Sequence, residues 1–218
     1  MVTDRHQQVA RVDYERDDEA GGEIEAALVR AATGLAPGAG AIVVSDYLKG
    51  AVTRGTVAAL ARLAREAGVP LLVDPKIPHI DYYESATLIT PNHHEAEVAT
   101  HMRIRTDEEA RTAARAFRDR AGARGVLVTR GEAGLWLLDG EAEGALAATA
   151  REVADVTGAG DTVIATLTLA LSAGATFAEA AHLANYAGGL VVMKRGTATV
   201  SASELRYSIS GGTIGRPA

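Results

Sequence analysis

The run Asp155-Val156-Thr157-Gly158-Ala159-Gly160-Asp161-Thr162 carries the strongest chemical signal in the chain. Small residues at 158–160 permit a tight turn and leave main-chain N–H groups free at the start of a helix. Such a start attracts anions, helped by the helix dipole. Asp161 falls in the first turn, where its carboxylate can accept a proton from an attacking hydroxyl. A donor cradle beside a carboxylate is what phosphoryl transfer to an alcohol requires. Gly158, Ala159, Gly160 and Asp161 are therefore the candidate catalytic residues. The alternative is a glycine-rich turn with Asp161 as a capping residue.

A second constellation is Thr90-Pro91-Asn92-His93-His94-Glu95, just past the end of a strand, where α/β folds place ligands. Asn92 and Glu95 are three apart and can face one site from the start of a helix. Glu95 is the candidate to organise a hydrated Mg²⁺, an ion that takes oxygen ligands and keeps several waters. An Asn N-cap with Glu at the third helical position explains the same pair and is compatible with it. His93, His94, Glu97 and His101 do not make a zinc site, since no HExxH and no cysteine accompany them.

Thr129-Arg130-Gly131-Glu132-Ala133-Gly134 again places glycines after a strand, where N–H groups can cover nucleotide phosphates. A plain strand-to-hairpin turn is the alternative. Ser45-Asp46-Tyr47-Leu48-Lys49-Gly50 and Asp74-Pro75-Lys76 are further polar strand ends, with Asp46, Lys49 and Lys76 as candidate substrate contacts. Solvated surface lysines are the competing reading. Neither GxxxxGK[ST] nor a GxGxxG after a strand occurs, so P-loop and dinucleotide sites are excluded.

These strand ends need a scaffold. The apolar runs 41–45, 70–74, 87–90 and 126–129 are continuous rather than alternating, as in strands covered on both faces of a parallel sheet. Helical spacing over 56–67 and 107–121 separates them, giving a doubly wound, mostly parallel α/β sheet flanked by helices. Residues 134–138 and 146–150 are predicted to form an antiparallel hairpin at the sheet edge. Helices are expected over 159–173 and 177–194, with a shorter one from Ser201. In the head, 8–13 alternates well enough for one edge strand without an obvious partner nearby, and the tail from Gly211 is expected to fray.

Composition narrows the partners. The chain has 218 residues, 22 Lys and Arg against 28 Asp and Glu, a net charge of −6 and no cysteine. That excludes disulfides, thiolate chemistry and Cys-based metal sites. It also lacks the basic face that nucleic acid demands. The uncharged run 162–178 falls short of a bilayer span and reads as a core helix, so no membrane association is expected.

Taken in order, these motifs resemble the ribokinase-like (pfkB) sugar kinases. Asp155–Asp161 is similar to that family's C-terminal signature, Asn92–Glu95 to its N-x-x-E motif and Thr129–Gly134 to its nucleotide loop. Gln7-Gln8, Arg11-Val12-Asp13-x-Glu15, Ser45-Asp46-Tyr47-x-Lys49-Gly50, Asp74-Pro75-Lys76 and Gly196-Thr197-x-Thr199-Val200-Ser201 resemble the heptose-7-phosphate kinase branch of ADP-heptose synthesis, including the kinase half of a bifunctional enzyme. The resemblance runs from about Arg5 to Leu205. It implies ATP and Mg²⁺ as cofactors, Asp161 as catalytic base, and residues 158–160 as anion hole. Nucleotide contacts would come from Asn92, His93, His94, Glu95, Thr129, Gly131, Gly134, Asn185 and Gly196, with Asn185 near the adenine. A small sugar phosphate, heptose 7-phosphate at C1, is the implied substrate, in the cytoplasm.

The family's N-terminal strands, glycine-rich substrate loop and most of its β lid have no counterpart here. Residues 1–20 are then expected to be a remnant of the substrate and lid region, 21–210 the nucleotide-binding core, and 211–218 a tail. A nucleotide-binding relative without turnover, or a kinase for another sugar, stays open as an alternative. An unpaired sheet edge of this kind predicts a homodimer or higher oligomer.

Overall fold

The expected parallel strands form. The computed structural model describes residues 2–4, 7–10, 12, 14, 18–140, 142–150 and 152–211. Strands β1 (Val2–Asp4) and β2 (Gln7–Ala10) make a small antiparallel pair. Helix α1 is Glu23–Leu35, then come β3 (Ile42–Ser45), α2 (Arg54–Ala67), β4 (Leu71–Asp74) and a 3₁₀ segment at Ile77–Tyr82. Strand β5 (Leu88–Ile89), α3 (His93–Thr100), α4 (Asp107–Ala121) and β6 (Gly125–Thr129) follow. The chain continues with β7 (Leu135–Leu138), β8 (Glu143–Leu146), α5 (Ala159–Ser172), α6 (Phe177–Val192) and α7 (Ala202–Ile209).

One six-stranded sheet runs β3-β4-β5-β6-β7-β8, parallel from β3 to β6 and antiparallel thereafter. Alternate side chains of a strand leave on opposite faces. Accordingly Leu71, Val73, Val126 and Val128 enter a core with Val57 of α2 and Phe117 of α4. Leu72 and Leu127 enter another with Val163 and Leu167 of α5 and Ala184 of α6. Both faces are therefore covered, which is why these strands read as unbroken apolar runs.

Local sequence sets the helix limits. Thr53 caps α2 by accepting from the Thr56 N–H, and Gly68 ends it at φ 69°. Thr106 and Glu109 form a capping box on α4, which stops at Gly122 with φ 64°. Ala110, Ala113, Ala114, Phe117 and Ala121 line its buried face at helical spacing.

Two expectations are corrected and one helix is added. The predicted second hairpin strand at 146–150 lies earlier: β8 ends at Leu146, which pairs with Leu135. The head strand does have a partner, because Val2–Asp4 folds back on Gln7–Ala10. Its proposed continuation through Arg11 and Asp13, like the frayed tail from 212, lies outside the described residues. Helix α1 went unread, since it buries no residue and starts at Gly22 without a capping side chain. It is tied to the α2 cap by a hydrogen bond from the Thr53 hydroxyl to Glu25. Among the described residues no helix is long and apolar enough to cross a membrane.

Candidate active site

Adjacent parallel strands deliver their carboxyl ends to one edge. Asp46 and Tyr47 follow β3, Asp74 ends β4 with Lys76 just beyond, Asn92 and Glu95 follow β5, and Thr129 ends β6. The Thr129 N–H donates to the Pro91 carbonyl at 2.9 Å, and Asn92 bridges to Thr129, joining two of the predicted motifs. The α5 start meets the same edge, since the Tyr47 hydroxyl donates to Asp161 Oδ1 at 2.7 Å.

Gly158 adopts φ 78° before α5 and offers no side-chain cap, unlike the residues before α2, α3, α4, α6 and α7. A Cβ added at Gly158, Gly160 or Gly131 would meet nothing within 4 Å. The backbone thus faces open space where an anion fits. Asp155 braces this loop. Its carboxylate accepts from the Thr157 hydroxyl (2.7 Å) and N–H (2.9 Å) and from the Gly196 N–H (3.0 Å). Those bonds, the Thr157 hydroxyl foremost, hold its carboxyl below the usual range.

Glu95 and Asn92 form a full capping box, so the capping reading of this pair holds. Glu95 Oε1 also pairs with Lys76 Nζ at 2.5 Å. With Oε2 on the Asn92 N–H, Glu95 is suited to organise Mg²⁺ through water rather than as part of an all-protein cage. Among the described residues no cluster of three or more acids and imidazoles could hold a metal alone. Asp74 is pushed up to about 6, first by burial and then by Glu95, with Lys76 opposing.

Asp46, a candidate substrate contact, is only 1% exposed. Its Oδ1 accepts from the Leu48 N–H at 2.8 Å, and its Oδ2 accepts from the Tyr83 hydroxyl and pairs with His79 Nδ1, both at 2.7 Å. It holds the loop and does not reach the surface. Burial, then the bond to Asp46, pushes the Tyr83 hydroxyl well above its ordinary value.

Beside the α5 start lies a cleft of about 680 Å³, within the range of small-molecule sites. Thr129, Gly131, Gly134, Ala159, Gly160 and Asn185 all line it. Val153, Val156, Val163 and Leu135 supply apolar walls that a flat heterocycle can use. Asn185 is 9% exposed; its Nδ2 donates to the Ala147 carbonyl at 2.7 Å, and its own carbonyl accepts from Thr149. Volume, apolar walls and the open glycine cradle together fit a nucleotide and its phosphates.

Other predicted residues stand apart. His93 and His94 pack ring on ring at 3.9 Å, and neither lines the cleft. Gly196 supports Asp155 from outside it. Lys49 is exposed on the β3–α2 loop, also away from the cleft lining. Tyr47, His79 and Tyr83 were missed. Tyr47 lies inside a string already singled out, between Asp46 and Lys49; Tyr83 meets Asp46 across 37 residues, a contact no local pattern announces.

The sequence of residues 21–204 matches the pfkB family of carbohydrate kinases. The chain belongs to that family. Its relatives include the bifunctional protein HldE of Paramagnetospirillum magneticum, 46% identical over 202 residues that cover 92% of this chain and 41% of the relative. HldE of Alkalilimnicola ehrlichii is 47% identical over 209 residues, covering 95% and 43%. The chain thus spans less than half the length of these pfkB relatives. Among solved structures, Arabidopsis thaliana ribokinase complexed with ribose and ATP superposes with a TM-score of 0.70 at 24% identity, covering 81% of this chain and 57% of that one. Escherichia coli phosphofructokinase-2 gives 0.71 at 21% identity, covering 84% and 61%. These establish a ribokinase-like fold for this pfkB member.

Proposed function

We propose that the chain transfers the γ-phosphoryl group of Mg·ATP to a hydroxyl of a sugar phosphate, heptose 7-phosphate at C1. The observation that carries this reading is Asp161 in the uncapped first turn of α5, next in sequence to cleft-lining Gly160. The cleft would take the adenosine between the Val153 and Val156 side and Asn185. Thr129 and Gly131 would meet the phosphates. The N–H groups of the 158–160 turn would neutralise charge developing on the transferred group. Asp161 would take the proton from the sugar hydroxyl as its oxygen bonds to phosphorus and the bond to ADP breaks. Mg²⁺, when bound, would supply charge neutralisation on the phosphates, and Glu95 would help organise its water shell.

The heptose assignment is supported by 46–47% identity to HldE proteins over nearly the whole chain. Residence in the cytoplasm, where ATP is available, agrees with the absence of cysteine. A homodimer or higher oligomer is supported by β3, an edge strand whose Val43 is 42% exposed. The test is ADP release with Mg·ATP and heptose 7-phosphate, fructose 6-phosphate or ribose. Release fastest with heptose 7-phosphate is expected. Bound ATP without release on any sugar would instead favour a nucleotide-binding protein without turnover.

A further inference from the structure

Tyr47 and Asp161 are 114 residues apart, yet the tyrosine hydroxyl reaches Asp161 Oδ1 at 2.7 Å. The ring is not held there by burial, being 55% exposed. Its direction comes from the turn that carries it. Leu48 sits at φ 54°, a left-handed conformation that a branched side chain resists. Such strain persists only where the surroundings over-determine it, and it collects at functional sites.

Here the surroundings are explicit. The Leu48 N–H is tied to Asp46 Oδ1, while Asp46 Oδ2 is held by Tyr83 and His79. The Asp46 N–H donates to the Asp74 carbonyl at 3.0 Å, which fixes the turn to the end of β4. At the far side, Gly50 takes φ 84° and its carbonyl accepts from the Ala20 N–H at 2.8 Å. A buried carboxylate thus clamps a strained turn whose protruding residue is the one that touches Asp161.

We propose that Tyr47 is a positioning residue for Asp161, its hydroxyl fixing Oδ1 so that Oδ2 is the oxygen that receives the proton of the acceptor hydroxyl. This rests on the reading of Asp161 as proton acceptor. Tyr47 keeps its own proton throughout: the sugar O–H proton passes to Oδ2, the sugar oxygen bonds to phosphorus, and ADP leaves with the electrons of the broken P–O bond. The bond to Asp161 pushes the Tyr47 hydroxyl above its ordinary value, which keeps it a donor. Asp74 at the end of β4 is a like charge near this pair, itself coupled to Glu95, Lys76 and Asp46.

Tyr47→Phe removes only the donor, at a half-exposed ring where folding is not at stake. Two readouts are taken on wild type and variant: steady-state kinetics, and the ¹³C chemical shift of the Asp161 carboxyl carbon at fixed pH without substrate. Kinetics should show kcat falling about tenfold with KM for ATP within twofold. The Asp161 carboxyl resonance should move in the variant, because Oδ1 loses its hydrogen-bond donor. A purely structural Tyr47 would shift the melting temperature and neither readout. An unmoved resonance overturns the proposal whatever the rate does, and so does an unchanged kcat in an active enzyme. A wild type without turnover would sink the kinase reading instead, and the resonance alone would then decide whether Tyr47 sets the Asp161 carboxylate.

Discussion

Lys76 and Glu95 meet at 2.5 Å across the ends of neighbouring strands β4 and β5, about one-third and one-eighth exposed respectively. The pair neutralises one carboxylate at an edge that also gathers Asp46, Asp74 and Asp161. Removing the cation alone should therefore hurt more than removing the pair. Lys76→Met is expected to lower stability at pH 7.5 by about 1 kcal/mol, and Lys76→Met with Glu95→Gln to recover most of it. Urea melts of the four proteins in the cycle measure the coupling; additive effects would mean the ion pair contributes nothing.

Asp74 gives the site a pH dependence of a definite sign. Its carboxyl is raised to about 6 in the fold from an ordinary value near 3.8, chiefly by burial. The folded state therefore holds a proton that the unfolded chain releases, and stability falls as pH rises between these values. Above pH 6 the charged carboxylate is a standing cost. Asp74→Asn should stabilise the protein by about 1–3 kcal/mol at pH 7.5 and have little effect below pH 4. Melting curves at the two pH values check this, and an equal effect at both would contradict it.

Gly134 is where backbone geometry admits no side chain. It has φ 78°, and an added Cβ would lie 2.0 Å from the Leu146 carbonyl oxygen on β8. Gly134→Ala must push apart the β7–β8 hairpin that walls the cleft. A loss of about 2–4 kcal/mol is expected, together with weaker nucleotide binding. Gly131→Ala, with nothing within 4 Å of its Cβ, should cost less stability while still obstructing phosphate approach. Thermal melts and calorimetry with ATP separate the two positions; equal destabilisation would refute the distinction.

Legibility in the sequence followed the range of the interactions. Strands β4 and β6 were readable because burial on both faces makes Leu71–Asp74 and Gly125–Thr129 nearly unbroken apolar runs; β3 (Ile42–Ser45) shares the apolar run but leaves Val43 exposed at the sheet edge. Helix α4 was readable from the helical spacing of Ala110, Ala113, Ala114 and Phe117, which form its buried face. Helix α1 was not, because Gly22 caps without a side chain and Ile24, Leu28 and Leu35 stay exposed. The hairpin was shifted because Leu146 pairs with Leu135 at the end of β8, where apolar content alone pointed beyond it. The site divided the same way. Thr129, Gly131 and Gly160, which line the cleft, were singled out through glycines and strand ends. The Asp46–Tyr83 and Tyr47–Asp161 contacts join residues 37 and 114 apart, and only the folded sheet edge brings them together.

In the proposed reaction Asp161 removes the proton from the accepting hydroxyl while the adjacent turn and cleft hold the nucleotide. Asp161→Asn keeps the side chain's size and its place in the first turn of α5, so the cradle should survive. What disappears is the proton acceptor. The decisive measurement is turnover with Mg·ATP and heptose 7-phosphate, taken with ATP affinity by calorimetry on the same preparations of wild type and Asp161→Asn. A loss of about 10²–10⁴ in kcat is expected, with ATP affinity unchanged or slightly tighter, since a carboxylate near a polyanion is gone. Near-normal turnover in Asp161→Asn, with only a small loss of stability, would leave Asp161 a structural residue of the first turn of α5 and overturn its assignment as proton acceptor.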